Sequence, residues 1–327
     1  MPAPKVSDAE FIELWETLRS PLKVAQALGC TERGVYLRRR RLELKRGLQL
    51  QADSHMAPHY QHLQTAHQHQ KRYDLGILNG EVLVFSDSHF WPGIRTTAYK
   101  GLLHLIRNMQ PQAVVCNGDA FDGASISRFP RIGWDSTPTI IQELKACEAN
   151  LGEIEEAAKT ARPNVALPWC LGNHDARFEN RLAANAPQYE QVHGFSLKDH
   201  FPAWRPCWAV WNGETVIKHR YKGGIHATHA NTVNSGVNIV TGHLHSLKVT
   251  PFNDYNPYTR YGVDTGTLAD PAGPQFANYL EEGPTNWRAG FVVLTFRDGR
   301  LMWPEVCKVW APGFIEFRGQ IMDVSAL

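Results

Sequence analysis

A chain of 327 residues, 43% hydrophobic and 20% charged, has ordinary globular composition and is long enough for one large core plus a small accessory domain. Its formal net charge of +2 excludes nucleic-acid binding through overall basicity, so any such footprint is local. The six scattered cysteines (Cys30, Cys116, Cys147, Cys170, Cys207 and Cys307) include no Cys-x-x-Cys pair, which excludes a zinc ribbon and a disulfide frame. No stretch is long and apolar enough to span a bilayer, and residues 1–20 hold acids where a signal peptide needs an apolar run. A soluble, cytoplasmic protein is expected.

Residues 1–48 predict a small all-α domain. Ser7-Asp8-Ala9-Glu10 has the capping-box pattern, ahead of Phe11, Leu14, Trp15 and Leu18 at helical spacing. Ser20-Pro21 stops that helix and starts a second, with Leu22, Ala25 and Leu28 on one face. Gly29-Cys30 makes a turn, and Thr31 caps a third helix carrying Val35, Tyr36 and Leu42 with Arg33, Arg38, Arg39, Arg40 and Arg41. Two short helices, a glycine turn and an arginine-rich helix are the layout of a helix-turn-helix. The segment resembles the DNA-binding helix-turn-helix of bacterial and phage regulators and recombinases. That resemblance implies a third helix in a major groove, with Arg33 or Tyr36 at base edges and Arg38, Arg39, Arg40 and Arg41 on phosphates. The competing reading is a solvated basic helix or a protein-interaction module. Residues 49–76 follow as a linker, in which His55, His59, His62, His67 and His69 sit among Gln, Ala and Ser.

From Gly76 the texture changes, and residues 77–315 predict an α/β domain. Residues 81–87 form an apolar strand, 99–109 an amphipathic helix, and 111–115 a strand that ends at Asn117-Gly118-Asp119. A long helix over 137–161 leads to a strand over 165–171, which ends at Gly172-Asn173-His174-Asp175. Residues 177–184 read as a helix with Arg177 and Arg181 on one face, and 195–211 as irregular. A strand over 214–218 ends at His219, and one over 237–240 ends at Thr241-Gly242-His243-Leu244-His245. Strands over 261–265, 290–296 and 301–309 follow, with a turn at Asp298-Gly299, and 316–327 is left as a C-terminal tail. Strand–helix–strand alternation puts ligand-binding residues just past the carboxyl ends of strands.

Five strand ends carry such residues: Asp87-x-His89, Asp119, Asn173-His174, His219 and His243-x-His245. Hard oxygens mixed with imidazoles suit Mn, Fe, Zn or Ni, and the lack of cysteine in the set argues against a structural zinc. Asp-x-His and His-x-His put both side chains on the same side of an extended segment. One ion cannot use so many ligands, whereas two ions about 3.5–4 Å apart sharing a carboxylate can.

The ordered set resembles the calcineurin-like metallophosphoesterase superfamily, over residues 80 to about 270. The resemblance implies a four-layer α/β/β/α sandwich with two divalent ions between the strand-end loops, manganese first, with Fe, Zn, Ni or Mg as alternatives. It assigns Asp87, His89, Asp119 and His245 to one ion, and Asp119, Asn173, His219 and His243 to the other. His174 matches the non-ligand histidine that protonates the leaving alkoxide or orients the phosphate. Arg220 follows His219 where the family often has glycine, which leaves His226 and His229 as alternatives; His219 is preferred because it directly ends a strand. Asp175 is expected to orient the imidazole of His174, and Arg177 and Arg181 to clamp phosphate oxygens. The helix-turn-helix turns the reading toward DNA as substrate, cut by a nuclease or an end-processing phosphatase. The alternatives are a small-molecule phosphatase or phosphodiesterase with a docking module, and a non-catalytic DNA-binding regulator.

Overall fold

A computed structural model describes residues 6–48, 50, 69–127, 137–276 and 285–327. His55, His59, His62 and His67 of the expected linker lie outside them. The chain separates into two compact units, Met1–Gln68 and His69–Leu327.

In the first unit the local signals shape three helices. Glu10 N–H donates to Ser7 Oγ (3.2 Å) while Ser7 N–H donates to Glu10 Oε2 (2.7 Å), opening α1, Asp8–Leu18. Pro21 starts α2, Pro21–Leu28, which ends at Gly29 with φ 60°. Thr31 Oγ1 accepts from Gly34 N–H (3.2 Å) at the start of α3, Glu32–Arg46. Phe11, Trp15, Val24, Ala25, Val35, Leu42 and Leu50 form the unit's core.

That packing changes the account of the arginines. Arg38 donates to Val6 O (2.7 Å) and Asp8 Oδ1 (3.2 Å), and its guanidinium lies 4.8 Å from the Phe11 ring. Arg39 donates to Glu43 Oε1 (2.9 Å) and stacks over Trp15 at 4.8 Å. Both were expected on phosphates, yet both are engaged within the unit. Arg33, Tyr36, Arg40 and Arg41 stay exposed on α3.

In the second unit the strands are β1 Tyr73–Asp74, β2 Gly80–Phe85, β3 Ala113–Cys116, β4 Pro168–Cys170, β5 Arg205–Cys207, β6 Val210–Asn212, β7 Thr215–Ile217, β8 Asn238–Thr241, β9 Lys248–Phe252, β10 Arg260–Asp264, β11 Gly290–Arg297, β12 Arg300–Leu301, β13 Glu305–Ala311, β14 Phe314–Phe317 and β15 Gln320–Asp323. The helices are α4 Thr97–Met109, α5 Ile140–Ala161, α6 Asp175–Asn185, the single turn α7 Leu197–His200, and α8 Ala227–Ser235. One sheet runs β15-β14-β13-β11-β2-β3-β4-β5, with β12 on β11; the other runs β1-β6-β7-β8-β10-β9. β2, β3, β4 and β5 pair in parallel, which their helical crossovers require.

Alternation along β2 divides the interior in two. Val82 and Val84 join Val210, Ile217, Val240 and Val263 in a core between the sheets. Leu83 and Phe85 join Leu102, Ile106, Leu151 and Ile154 under α4 and α5 on the opposite face. α8 covers the second sheet by packing on β8, β9 and β10. The result is a mixed α/β fold with helices outside two facing sheets.

Four local expectations need correction. The stretch 195–211, read as irregular, holds α7, β5 and β6. α8 and β9 went unread. The expected linker ends early, because Tyr73 and Asp74 pair with β6 and His69 Nε2 lies 2.7 Å from Glu179 Oε2. Residues 316–327 are no tail: β14 and β15 form a hairpin on the large sheet, and Phe317 and Val324 are buried.

Candidate metal centre

The five predicted strand ends converge. Asp87 follows β2, Asp119 β3, Asn173 β4, His219 β7, and His243 and His245 β8. Backbone bonds tie the loops together: Asp87 N–H donates to Gly118 O (2.9 Å), His89 N–H to Asp119 O (3.0 Å), and Gly242 N–H to His219 O (3.0 Å). His243 N–H donates to Asp87 Oδ2 (2.9 Å), joining loops from the two sheets.

Five of the expected ligands have left-handed backbone: Asp87 (φ 52°), His89 (38°), Asp119 (53°), His243 (73°) and His245 (56°). Such conformations cost non-glycine residues energy and persist only where the surroundings over-determine them. Two glycines are needed for close approach. A Cβ on Gly172 would lie 2.0 Å from Asp119 Oδ1, and one on Gly242 would lie 2.7 Å from Asp87 Oδ2.

Ligand atoms of Asp87, His89 and His245 all lie within 4.8 Å of one another, as do those of Asp119, His219 and His243. Asp119, which the resemblance gave to both ions, falls in the second group alone. His219 belongs to the cluster, whereas His226 and His229 do not: His226 directly precedes α8, and the His229 ring packs at 5.5 Å on Phe252. All of the expected ligands are buried except His243, at the rim, and the half-buried Asn173.

The donor set fits cations. His89 Nδ1 lies 2.9 Å from Asp122 Oδ1 and His219 Nδ1 lies 2.7 Å from Asn117 O, so each ring when neutral carries its proton there and offers the lone pair of Nε2. His89 Nε2, His245 Nδ1 and Asn173 Oδ1 are buried with no hydrogen-bond partner among the described residues, and His219 Nε2 faces Asp119 Oδ2 at 3.0 Å. A set of buried lone pairs costs energy unless something electropositive accepts them. Burial disfavours a charged His219, but the carboxylates of Asp119 and Asp87 prevail and push its pKa up to about 10. The cluster therefore attracts positive charge, whether a proton or a metal ion.

His174 sits beside the cluster, with Nδ1 2.8 Å from Asp122 Oδ1 and 2.9 Å from Asp122 O. Burial lowers its pKa, and Asp119 and Asp122 more than offset this, so the net shift is upward. Burial would raise the Asp122 carboxyl, but the His174 and His89 imidazoles hold it below the ordinary range. Arg177 donates to Asp122 O (3.0 Å), and its Nη2 lies 3.1 Å from His174 Nε2. A guanidinium donates only to an unprotonated nitrogen, so this contact belongs to neutral His174 with its proton on Nδ1. Arg181, expected beside Arg177, is exposed, and its side chain has no hydrogen-bond partner among the described residues.

Asp175 does not orient His174. Its carboxylate accepts from the backbone N–H of Asp119 (2.8 Å), Ala120 (3.0 Å), Phe121 (3.0 Å) and Gly172 (2.8 Å), and from Trp169 Nε1 (3.1 Å). It staples the β3 loop to the β4 loop from beneath. Asp122 takes the orienting role and was missed in the sequence. The available signal was a second carboxylate three residues after Asp119, at the end of the same strand.

A family model described as calcineurin-like phosphoesterase matches residues 80–268, more than half of the chain and all of the convergent loops. Comparison with curated proteins finds no significant match.

Proposed function

The chain belongs to the calcineurin-like phosphoesterase family, hydrolases acting on phosphate esters, and from that premise we propose that it cleaves DNA phosphoesters as a nuclease or an end-processing phosphatase. The observation that carries the reaction is the convergence of Asp87, His89 and His245, and of Asp119, His219 and His243, into two groups each within 4.8 Å. Those residues and Asn173 would hold two divalent cations, manganese first. What such ions supply when bound is a water acidic enough to ionise near neutral pH, and positive charge for the phosphate oxygens.

The chain's own groups do the rest. His174 is placed to give a proton from Nε2 to the departing oxygen while Asp122 holds Nδ1–H. Nε2 can carry that proton only when Arg177 has left it, and phosphate oxygens are the anionic partner that would draw the guanidinium away. Asp119 accepts from His174 N–H at 2.8 Å, which ties the loop of the expected ligand to the loop of the acid. DNA is favoured by the exposed face of α3, where Arg33, Tyr36 and Arg40 remain after Arg38 and Arg39 are engaged internally, joined by the exposed Arg41, whose Nη2 lies 3.8 Å from Asp8 Oδ1.

The test is a manganese-supplemented screen of the full chain on a chromogenic phosphomonoester, its diester analogue, and single-stranded and duplex DNA. His174→Ala should keep its bound metal and lose about 10²- to 10⁴-fold in turnover; metal loss would remove the acid role. Arg33→Ala with Arg40→Ala should weaken DNA binding and flatten its salt dependence without changing chromogenic turnover. Unchanged cleavage of DNA by that double variant would separate the first unit from substrate capture.

A further inference from the structure

One buried acid has no part in the site so far. Glu143 projects from the first turn of α5 and is 0% exposed. Its carboxylate accepts from Gly123 N–H (2.9 Å, Oε2) and Ala124 N–H (3.1 Å, Oε1). These are the two amides that follow Asp122. Gly123 has φ 65°, so the chain turns sharply just past the residue that holds His174. One helical turn along α5, Cys147 Sγ lies 3.4 Å from Ala120 O, on the other side of Asp122 in the chain. α5 thus brackets the loop at both ends.

Burial, together with the charge of Asp122, pushes the Glu143 carboxyl up to about 7. Keeping an acid there is costly beside an apolar residue of the same size. The return is two bonds to one turn, charge-assisted when the acid is ionised. The turn matters because Asp122 Oδ1 lies 2.8 Å from His174 Nδ1, and Asp122 O accepts from Arg177.

We propose that Glu143 is a positioning residue for phosphoester hydrolysis: by clamping the Gly123 and Ala124 amides it fixes Asp122, and through Asp122 the imidazole of His174. The inference rests on the reading that His174 protonates the leaving group. Glu143 touches neither substrate nor cation, so its effect falls on turnover rather than on binding.

The experiment compares wild type, Glu143→Ala and Glu143→Gln as full chains at saturating manganese, on the chromogenic esters, well below each unfolding midpoint. Glu143→Ala should lose about 10- to 100-fold in kcat, the effect of a misplacement near 1 Å. Its KM and bound manganese should match wild type. Glu143→Gln keeps one acceptor oxygen, enough for one of the two amides, and should recover part of the loss. Should Glu143→Ala not fold, Glu143→Asp, too short to reach both amides, should show the same kcat loss. Wild-type kcat in Glu143→Ala with only a lowered midpoint overturns the proposal, as does a kcat loss explained by lost manganese. Wild type that turns over no ester with any divalent metal overturns the parent reading, and this one with it.

Discussion

Replacing Asp175 by asparagine separates a scaffold role from a catalytic one. Oδ2 accepts from Asp119 N–H, Gly172 N–H and Trp169 Nε1–H, and Oδ1 from Ala120 N–H and Phe121 N–H. The amide keeps one oxygen. If that oxygen serves the three donors, an NH2 group faces the other two. Each buried N–H left without an acceptor costs about 1–3 kcal/mol, so the variant should lose about 2–6 kcal/mol. That is a large part of the about 5–15 kcal/mol that holds a typical domain together. The freed amides of Asp119 and Gly172 also loosen two ligand loops, so manganese affinity should fall with stability. Urea unfolding of the larger unit, with and without manganese, reads both effects. A variant within about 1 kcal/mol of wild type that binds manganese normally but has lost turnover would refute the reasoning, since it would give Asp175 the orienting role.

Gly172→Ala needs no unusual φ, yet its Cβ would lie 2.0 Å from Asp119 Oδ1 and 2.4 Å from Asp119 N. The overlap is roughly 1 Å or more against ordinary contact distances, so manganese affinity and kcat should fall about 100-fold; wild-type affinity in a calorimetric titration would show that the loop yields. Arg177→Ala should lose about tenfold or more in kcat/KM, as a charge-assisted contact is worth about 1.5–3 kcal/mol, while Arg181→Ala should stay within about twofold; equal losses would return Arg181 to the site. Because His219 is pushed up to about 10 in the metal-free protein, a cation must displace its proton below that pH. Apparent manganese affinity should therefore rise with pH, about tenfold per unit for each proton released, and an affinity flat between about pH 6.5 and 8.5 would contradict the assignment.

The ligand loops were legible because their signals are local: an apolar run, a turn, then polar residues of the right type. What depended on distant partners was not. β5 has Pro206 at its centre and becomes a strand through its parallel register with β4, where Cys170 faces Cys207. α8 is rich in Thr, Asn and Ser, which are poor helix formers. It holds because Gly262 on β10 admits it; a Cβ there would lie 1.9 Å from Thr228 O. The β14–β15 hairpin did have a signal, since Arg318 (φ 52°) and Gly319 (φ 72°) form a two-residue turn between Phe317 and Gln320. At the site, adjacency misled. Asp175 is next to His174, but it opens α6 with its carboxylate turned beneath the loops, and no one-dimensional pattern shows that direction. Arg38 and Arg39 are similar: an arginine run marks charge, whereas the residues of α1 packed against it decide which guanidiniums remain outside.

Asp175, Glu143 and Asp264 have one job in common. Asp264 Oδ1 accepts from Ser246 N–H and Gly266 N–H, both at 3.0 Å, next to His245. The three acids are fully buried, and burial pushes them up to about 6, 7 and 6 respectively. Between them they take eight backbone N–H bonds, seven from the loops that carry Asp119, Asp122, Asn173 and His245 and one from Gly266. Those loops need restraint. Five of the proposed ligands in left-handed conformations, at about 1–3 kcal/mol each, carry strain comparable with the stability of a whole domain. Bonds to a charged acceptor contribute about 1.5–3 kcal/mol each, so eight are enough to offset that strain. Eight bonds to neutral acceptors, at about 1 kcal/mol each, would offset only the lower half of that range. This is a physical reason for acids rather than amides in these three buried places, and it puts the cost of a prearranged cation site on the scaffold beneath the ligands.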